Sequence, residues 1–553
     1  ARFLWQVVSV EVTCRQMPKL RLGPLLLLAS LAGAAVLPSF PLDDPATALL
    51  DRLEGRSGCL LPPRRPWPGE VVLACVDSLL ESPSTEASDK IRLLALRRRL
   101  ALRDSAGLDR SLTWRTGQDL ASFDIGASVY SHSIDRRVAV GAALGDSIDG
   151  DNLLGFRLRP RVDVLLGDDL LLWSRPRQLV ELSTDRRWVK TADPKNGIYQ
   201  TALFAKFGEL GSARTNDWIE GGIEFQTRLG RVFMGLTPLE WGDLPIEPLM
   251  LSGNTESVPL AQITKTIGPI EATLMGGRLI GDTWDERRYM YAHRFAWNGK
   301  NWRVGWTEMI LSIERDVEPL YLVPVFPYVF TEHYLGDPDN KQMNFDASWR
   351  PTPGLELSGE LFLDDLQNYL GFLSDGWGNK WALGLGVKLS GWTGKGSLDK
   401  IQITRTEPWV GTASSSIQPG QPSNEPFHFG SPLGSSAGPN SLAIVLRHSQ
   451  DLSAEWTWNA GLSSLHNGTD FGSSMHDRNW RDSSGTSVVA VPTKEWLSDT
   501  TYIRVRQEVT LGFEWRFRPG WRWQASTSVV FASNPQWIPS IHPGFSTAIA
   551  FHE

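Results

Sequence analysis

The chain lacks the long apolar runs of a helical membrane protein. Beyond residue 37 no segment reaches the roughly 20 apolar residues of a membrane helix. It also lacks an excess of charge of either sign. Against 62 acidic side chains stand 55 basic ones, a net −7 over 553 residues with no polybasic footprint, so nucleic acid is excluded as a partner. Charged residues at 21% and a mean hydropathy of −0.21 exclude a disordered tail. Cysteine is scarce, 3 in all, and none stands where a lipoprotein would carry its lipid. The 9 His show no metal-ligand spacing, and His333-Tyr334 and His476 near Trp480 form no nucleophile constellation. No metal, no cofactor and no catalytic residue is therefore expected.

What is abundant is tryptophan, 24 residues, and glycine, 51. Tryptophan suits sites with one apolar and one wet side, and glycine permits tight turns and close strand contacts. Both point to a β-rich protein at an interface. The length suffices for one large barrel or for two or three soluble domains. A chain without apolar helices that spans a membrane must do so as a closed barrel, because only helices and barrels satisfy their backbone in lipid.

Residues 1–34 are read as an upstream extension and a signal peptide. Met17, Lys19 and Arg21 precede the apolar run from Leu22 to Leu37, and Ala32-Gly33-Ala34 supplies the small residues a signal peptidase needs. A membrane anchor is the rival reading; the run is short for a span, and Pro24 and Pro38 bracket it. Export would let Cys59 and Cys75 pair, and a free buried pair is the other reading.

Residues 35–107 are read as a periplasmic helical segment. Leu49, Leu50 and Leu53 form a first stripe ending at Gly55 as C-cap. Val71, Val72, Ala74, Cys75 and Leu79 form a second. Ser88 is placed as the cap of a third helix carrying Ile91, Leu94 and Leu100. Arg97-Arg98-Arg99 reads as a solvated face.

From about residue 108 to 553 the apolar period becomes two, and an antiparallel all-β membrane barrel is expected. In 503–517, Ile503, Val505, Val509, Leu511, Phe513, Trp515 and Phe517 share one face, and Arg504, Arg506, Glu508, Glu514 and Arg516 the other. Short turns are expected at 351–354, 391–397, 449–452 and 518–520, and long loops at 364–379, 407–440 and 464–500. From residue 342 onward the two kinds alternate, as in outer-membrane barrels with short periplasmic turns and long outer loops. The same parity places Asp346, Arg350, Glu356, Glu360, Lys388, Arg447 and Glu455 inside, together with Arg504, Arg506, Glu508 and Glu514. Folding about the short turns would face Arg350 with Glu356 and Arg447 with Glu455. Asp346 and Glu360 would meet as two carboxylates needing a basic neighbour, with Lys388 as the candidate. Charges of both signs indicate a filled or narrowed lumen rather than a wide single-sign channel.

Several ordered segments resemble the Wzi-type capsule-assembly outer-membrane proteins. They are Glu332-His333-Tyr334, Asp339-Asn340-Lys341-Gln342-Met343-Asn344-Phe345-Asp346, Trp349-Arg350-Pro351-Thr352-Pro353-Gly354-Leu355 and Gly359-Glu360-Leu361-Phe362-Leu363-Asp364-Asp365. Upstream, Arg65-Pro66-Trp67, Asn196-Gly197-Ile198-Tyr199, Trp241-Gly242, Leu249-Met250-Leu251-Ser252, Ala292-His293-Arg294-Phe295 and Gly305-Trp306-Thr307-Glu308 fit the same pattern. The resemblance spans about residue 45 to the end. It implies an outer-membrane barrel of about eighteen strands with an N-terminal helical bundle at its periplasmic end. It further implies a lectin-like, non-catalytic role in attaching capsular polysaccharide to the cell surface.

Asp364-Asp365 invites a catalytic reading, but neighbours on a strand point to opposite faces, which misplaces them for a glycosidase pair. A structural or loop-start role is expected. Sugar binding needs aromatic faces and polar side chains. The outer loops supply Tyr369, Trp377, Trp409 with His428, Trp480, Arg481 and Trp496; the alternative is that these aromatics serve packing or the girdle. The expected partners are surface or capsular polysaccharide and outer-membrane lipid, around a monomer. The rivals are a narrow pore for a polar solute and a secreted carbohydrate-active enzyme.

Overall fold

The computed structural model describes residues 37, 39–42, 44–57, 59, 61–100, 112–116, 119–134, 151–167, 169–183, 201–206, 212–280, 286–323, 326–336, 339–365, 379–412, 424–428, 431–470, 472–475, 477, 496–497, 503–518, 521–534 and 537–551. The leader expected over 1–34 lies outside them.

Three helices come first: α1 Thr47–Ser57, α2 Gly69–Glu81 and α3 Ala87–Leu100. Leu50, Leu53, Val72, Val76, Leu79, Leu93 and Leu96 meet in one core. Cys59 and Cys75 form a disulfide that ties the α1 end to α2. Two details depart from the stripes read in the sequence. α1 continues through Gly55 to Ser57, and Ser88 lies inside the first turn of α3 rather than capping it. α3 also buries Asp89, Leu93, Leu96 and Leu100, leaving Ile91 and Leu94 exposed. The cause is polar: Arg52 of α1 donates to both carboxylate oxygens of Asp89, at 3.1 and 2.6 Å. This buried pair sets the rotation of the helix, and an apolar period cannot announce it.

Eighteen strands then form a closed antiparallel barrel. They are β1 Asp119–Ile134, β2 Asp151–Leu166, β3 Leu170–Ser183, β4 Ser212–Gln226, β5 Arg231–Thr237, β6 Val258–Ile267, β7 Ile270–Leu279, β8 Arg288–Asn298, β9 Trp302–Ile313, β10 Asn340–Thr352, β11 Leu355–Asp365, β12 Lys380–Ser390, β13 Ser397–Thr406, β14 Ser441–Asp451, β15 Trp456–Asn467, β16 Arg504–Arg518, β17 Trp521–Asn534 and β18 Trp537–Phe551. The ring closes where β18 pairs β1, from Phe545 with Ser133 to Phe551 with Ala127. Short strands at Leu112–Thr116 and Thr201–Lys206 pair along β1 and β4.

Alternation explains the wall. Successive side chains of a strand point to opposite faces, and the outward set is apolar: Val129, Phe156, Val304, Phe345, Leu385, Ile444, Leu462, Val509, Leu511, Phe513 and Ile549 are all exposed. Beside the short turns this band ends in tryptophans. Trp297 and Trp302 lie 6.1 Å apart, and Trp456 stacks on Trp515 at 5.3 Å. Such an aromatic rim is what a barrel presents at a lipid–water boundary. One connection departs from the expected alternation of lengths: β17 and β18 are joined at the long-loop end through only two residues.

The three helices dock at the short-turn end. Arg52 and Arg92 reach Asp451 at the foot of β14, at 2.8 and 2.5 Å, and the Ser390 hydroxyl donates to the Arg52 carbonyl. From the opposite end the 238–257 connection folds into the barrel. Inside, Arg64 and Arg65 pair with Trp241 and Glu240, and these in turn with Leu251 and Ser252. Chain entering from the two mouths thus meets within the lumen.

Candidate functional site

The interior has two sides of different construction. On the β6–β13 side the inserted chain is held by buried polar groups of the wall. Glu360 accepts the backbone N–H groups of Leu244, at 3.1 Å, and Leu249, at 2.9 Å. Gln402 accepts those of Ile246 and Glu247, at 3.1 and 3.0 Å, and donates to the Glu247 carbonyl. Arg303 reaches Asp243 and the Leu61 carbonyl, which ties the loop and the N-terminal segment to β9. Two glycines permit the close fit. A Cβ on Gly242, whose φ is +144°, would meet the Glu360 carboxylate, and one on Gly434 would meet the Leu249 carbonyl. The 424–440 stretch closes over the top, with Ser252 donating to the Leu433 carbonyl at 2.8 Å.

Asp346 and Glu360 are register partners on β10 and β11. Their repulsion is resolved differently from the sequence expectation. Arg294 of β8 clamps Asp346 with two bonds of 2.6 Å, while Glu360 is satisfied by the inserted loop. Lys388 goes elsewhere, to Glu356 at 3.2 Å and to Glu54 of α1 at 3.5 Å. Arg350 joins that cluster, 2.5 Å from Glu356 and 2.8 Å from Glu54. Lys400 contacts Asp51 of α1 at 2.6 Å. Burial alone would push the Asp51 carboxyl up, but Lys400, Arg65 and Lys388 hold it well below the usual carboxylate range. Asp364 is structural: it is buried and accepts from Gln342 at 2.6 Å and from the Gly411 N–H at 2.9 Å.

The β14–β18 side is open. A cavity of about 570 Å³ runs along it, lined by Lys400, Arg447, Asn459, Ser463, Glu508, Thr510, Glu514, Gln524 and Ser526. Arg504, Arg506, Glu508 and Glu514 lie on the inward parity of β16. Arg506 pairs with Glu508 at 3.0 Å, and Glu514 pairs with Arg516. Arg447 does not face Glu455. It stands opposite Gly461, because the hairpin ladder ends at Asp451 with Thr457 and leaves Glu455 in the turn, held by the Ser453 hydroxyl. The expected turn at 449–452 is centred too early in the chain, and that shift moves the partner of every residue in the hairpin.

At the long-loop end, Tyr369, Trp377, Trp480 and Arg481 lie outside the described residues. Trp409 and His428 are not presented to solvent. Trp409 is 1% exposed and packs against Gly472. His428 is fully buried; its Nδ1 accepts the Ile280 N–H at 3.1 Å and its Nε2–H donates to the Ser257 carbonyl at 3.2 Å. That bonding needs the neutral ring, and burial pulls its pKa down to about 4. Trp496 is half-buried. The Arg405 guanidinium lies 4.0 Å from its ring, and its indole N–H reaches the carbonyls of Thr406 and Ser441. Sequence reading missed that Arg303 and Gln402 hold the inserted chain and that Arg294 clamps Asp346. Their inward parity was available; the partners of Arg303 and Gln402, in loops without periodicity, were not.

No family model matches the sequence, and no curated protein matches it. Solved structures do. Wzi of Escherichia coli, an outer-membrane protein involved in group 1 capsule assembly and a carbohydrate-binding β-barrel, superposes with a TM-score of 0.56 at 13% identity, covering 94% of this chain and all of its own. OprD of Pseudomonas aeruginosa gives 0.41 at 9% identity over 78% of this chain and 94% of its own, and OccK9 (OpdG) of the same organism gives 0.42 at 12% over 78% and 98%. At these identities it is the fold that is shared: the chain is an eighteen-stranded barrel of the outer-membrane type.

Proposed function

We propose that this protein is a bacterial outer-membrane barrel, exported through its signal peptide, that binds surface or capsular polysaccharide and helps to hold it at the cell. The observation that carries the reading is the occupied lumen. One side is filled by the protein's own chain, held through Glu360, Gln402 and Arg303, so the barrel invests its interior in rigidity rather than in a wide passage. The sequence resemblance and the likeness to a carbohydrate-binding barrel support the same reading. The short-turn end, with α1 to α3, then faces the periplasm, and the long loops face outward, where a polymer can be met. Tyr369, Trp377, Trp480, Arg481 and Trp496 remain the proposed contacts for sugar rings. No reacting group is assigned, and the proposed role is binding. The test compares surface-bound with released polysaccharide in cells with and without the protein, and screens the purified protein on a glycan array. Unchanged retention after deletion, with no glycan bound, would overturn it.

A second reading rests on the open side. The 570 Å³ cavity, lined by charges of both signs, suits slow passage of a small polar solute. Planar-bilayer conductance separates the two: the binding reading expects little or no conductance from the intact barrel.

A further inference from the structure

On two adjoining strands the outward face of the wall carries polar groups and is covered. Beside the half-buried Tyr289, the outward residues of β8 and β9 nearest the long-loop end are Tyr291 and His293, and Glu308, Ile310 and Ser312. These last five are all buried at 2% exposure or less. His293 and Glu308 form a pair at 2.9 Å. Glu308 lies six residues along β9 from Trp302 of the aromatic rim, as Val509 lies six residues from Trp515 on β16. At about 3.3 Å per residue and about 40° of tilt, both stand about 15 Å above that rim, inside an apolar band about 25 Å tall. Val509 is bare there; Glu308 is covered.

The cover is the 314–339 connection, which leaves the top of β9 and lies against the outside of the barrel. It holds a 3-10 turn, Pro319–Leu322, and α4, Tyr328–Leu335. The Tyr328 N–H donates to Glu308 at 2.9 Å, the Glu318 N–H donates to the Tyr291 hydroxyl at 3.0 Å, and Glu332 lies 3.6 Å from Lys341, a residue of outward parity on β10. Leu322 rests on Gly276, whose missing Cβ leaves the room. Outward charges that would be costly against acyl chains are thus met by this strap. Its own outer side is exposed and mostly apolar, with Leu322, Phe326, Phe330 at 68% and Tyr334 at 83%; His333 is the one polar side chain that α4 exposes among them.

We propose that the outer surface of this strap is a lipid-binding surface whose partner is the acyl region of the adjoining membrane leaflet. The argument is continuity. The strap stands at the height of the apolar band, and between it and the aromatic rim the wall is bare at Val304, Phe345 and Trp349, so its outer residues occupy the layer that Val509 and Leu462 occupy elsewhere. The contacts also fix a direction. Tyr328 meets Glu308, deeper in the wall, and Glu332 meets Lys341, nearer the long-loop mouth. α4 therefore rises toward that mouth, with Phe330 about 6 Å deeper than Tyr334. Phenylalanine in the acyl layer and tyrosine toward the headgroups is the order such an interface favours.

The test uses the full chain with Cys14→Ser and its disulfide intact, folded into phosphatidylcholine vesicles. Nitroxide labels are placed singly at Leu322→Cys, Phe330→Cys and Tyr334→Cys, with Val509→Cys as the lipid control and Asp316→Cys as the water control. Asp316 has a side chain that is 96% exposed. Heat-modifiable gel mobility confirms that each barrel is folded. Labels at 322 and 330 should collide with oxygen several-fold more than with a nickel chelate, as at 509, and 334 should fall between 330 and 316. Chelate accessibility at 322 and 330 equal to that at 316 would overturn the proposal. So would shielding from both reagents, which would place another protein there. Two labels on separate elements keep a local distortion from deciding the result.

Discussion

The two sides of the barrel interior solve the same problem by opposite means. Between β6 and β13, Asp346, Glu356, Glu360 and Gln402 are met by groups from elsewhere in the chain: a neighbouring strand, α1 or the 238–257 loop. Between β14 and β18 the charges pair along their own strand, as Arg506 does with Glu508, and serine, threonine and glycine leave space for water. Buried ion pairs are costly to desolvate, and breaking one costs more than building it gains. The first side is therefore brittle and specific, and the second tolerant. Substitutions should tell them apart.

The largest effect is expected at Arg294. Arg294→Ala leaves Asp346 buried beside Asp243 without its bidentate partner, which should cost about 3–5 kcal/mol. Urea titration of the folded barrel, followed by gel mobility, measures this. Glu508→Ala on the open side should cost well under about 1 kcal/mol, because its partner keeps access to water. Equal losses at the two positions would erase the comparison.

Next comes the loop itself. Glu360→Ala strands the N–H groups of Leu244 and Leu249, at about 1–3 kcal/mol for buried donors left unmade. The loss should show as increased conductance as well as lower stability, since the same carboxylate holds the loop in the lumen. Stability lost with conductance unchanged would mean that the 238–257 loop does not block passage.

How far this division was legible in the sequence follows from what carries it. Strand parity carries the wall, so the inward set of Asp346, Arg350, Glu356 and Glu360 could be read off a period of two, and the Arg350–Glu356 contact from one short turn. The filling of the lumen is carried by backbone groups of loops, at Leu244, Ile246 and Leu249, where no period exists. Burial of Trp409 and His428 under the 424–440 and 472–475 segments was hidden for the same reason, and so was the strap on the outer wall. Arg447 was mispaired because a turn misplaced in the sequence carries its error through the whole hairpin.

A smaller, pH-dependent effect separates the two ends of the filled side. The His428 pKa lies near 4 in the fold and near 6.5 in an unfolded chain, so folding disfavours its protonation. Stability contributed around His428 should be full above about pH 6.5 and fall as the pH drops toward 4. Asp51 has the same relation at lower pH, with a folded pKa below its unfolded value near 3.9. The contact of α1 with Lys400 should hold through that window and weaken only below about pH 4. Hydrogen exchange at pH 7 and pH 5 should show residues 424–440 losing protection while 47–57 keep theirs. Simultaneous loss in both would mean that the two ends open as one unit.

The smallest stability effect is expected at Arg447, and it is the sharpest test of the open side. Its side chain is exposed toward the cavity and stands opposite Gly461, with no carboxylate across the ladder. Arg447→Ser therefore removes a cation without stranding a buried partner, and stability should change by no more than about 0.5 kcal/mol. If the cavity joins the two mouths of the barrel, loss of that cation shifts the balance of a lining that keeps Glu508, Glu514 and Lys400 toward negative charge, and any residual current should become more cation-selective. Reversal potentials under a salt gradient, for Arg447→Ser alone and combined with Glu360→Ala, measure this. A selectivity shift in the single variant would place the passage along β14–β18. A shift only in the double variant would place it through the loop-filled side, and the open cavity would then be a closed pool of water.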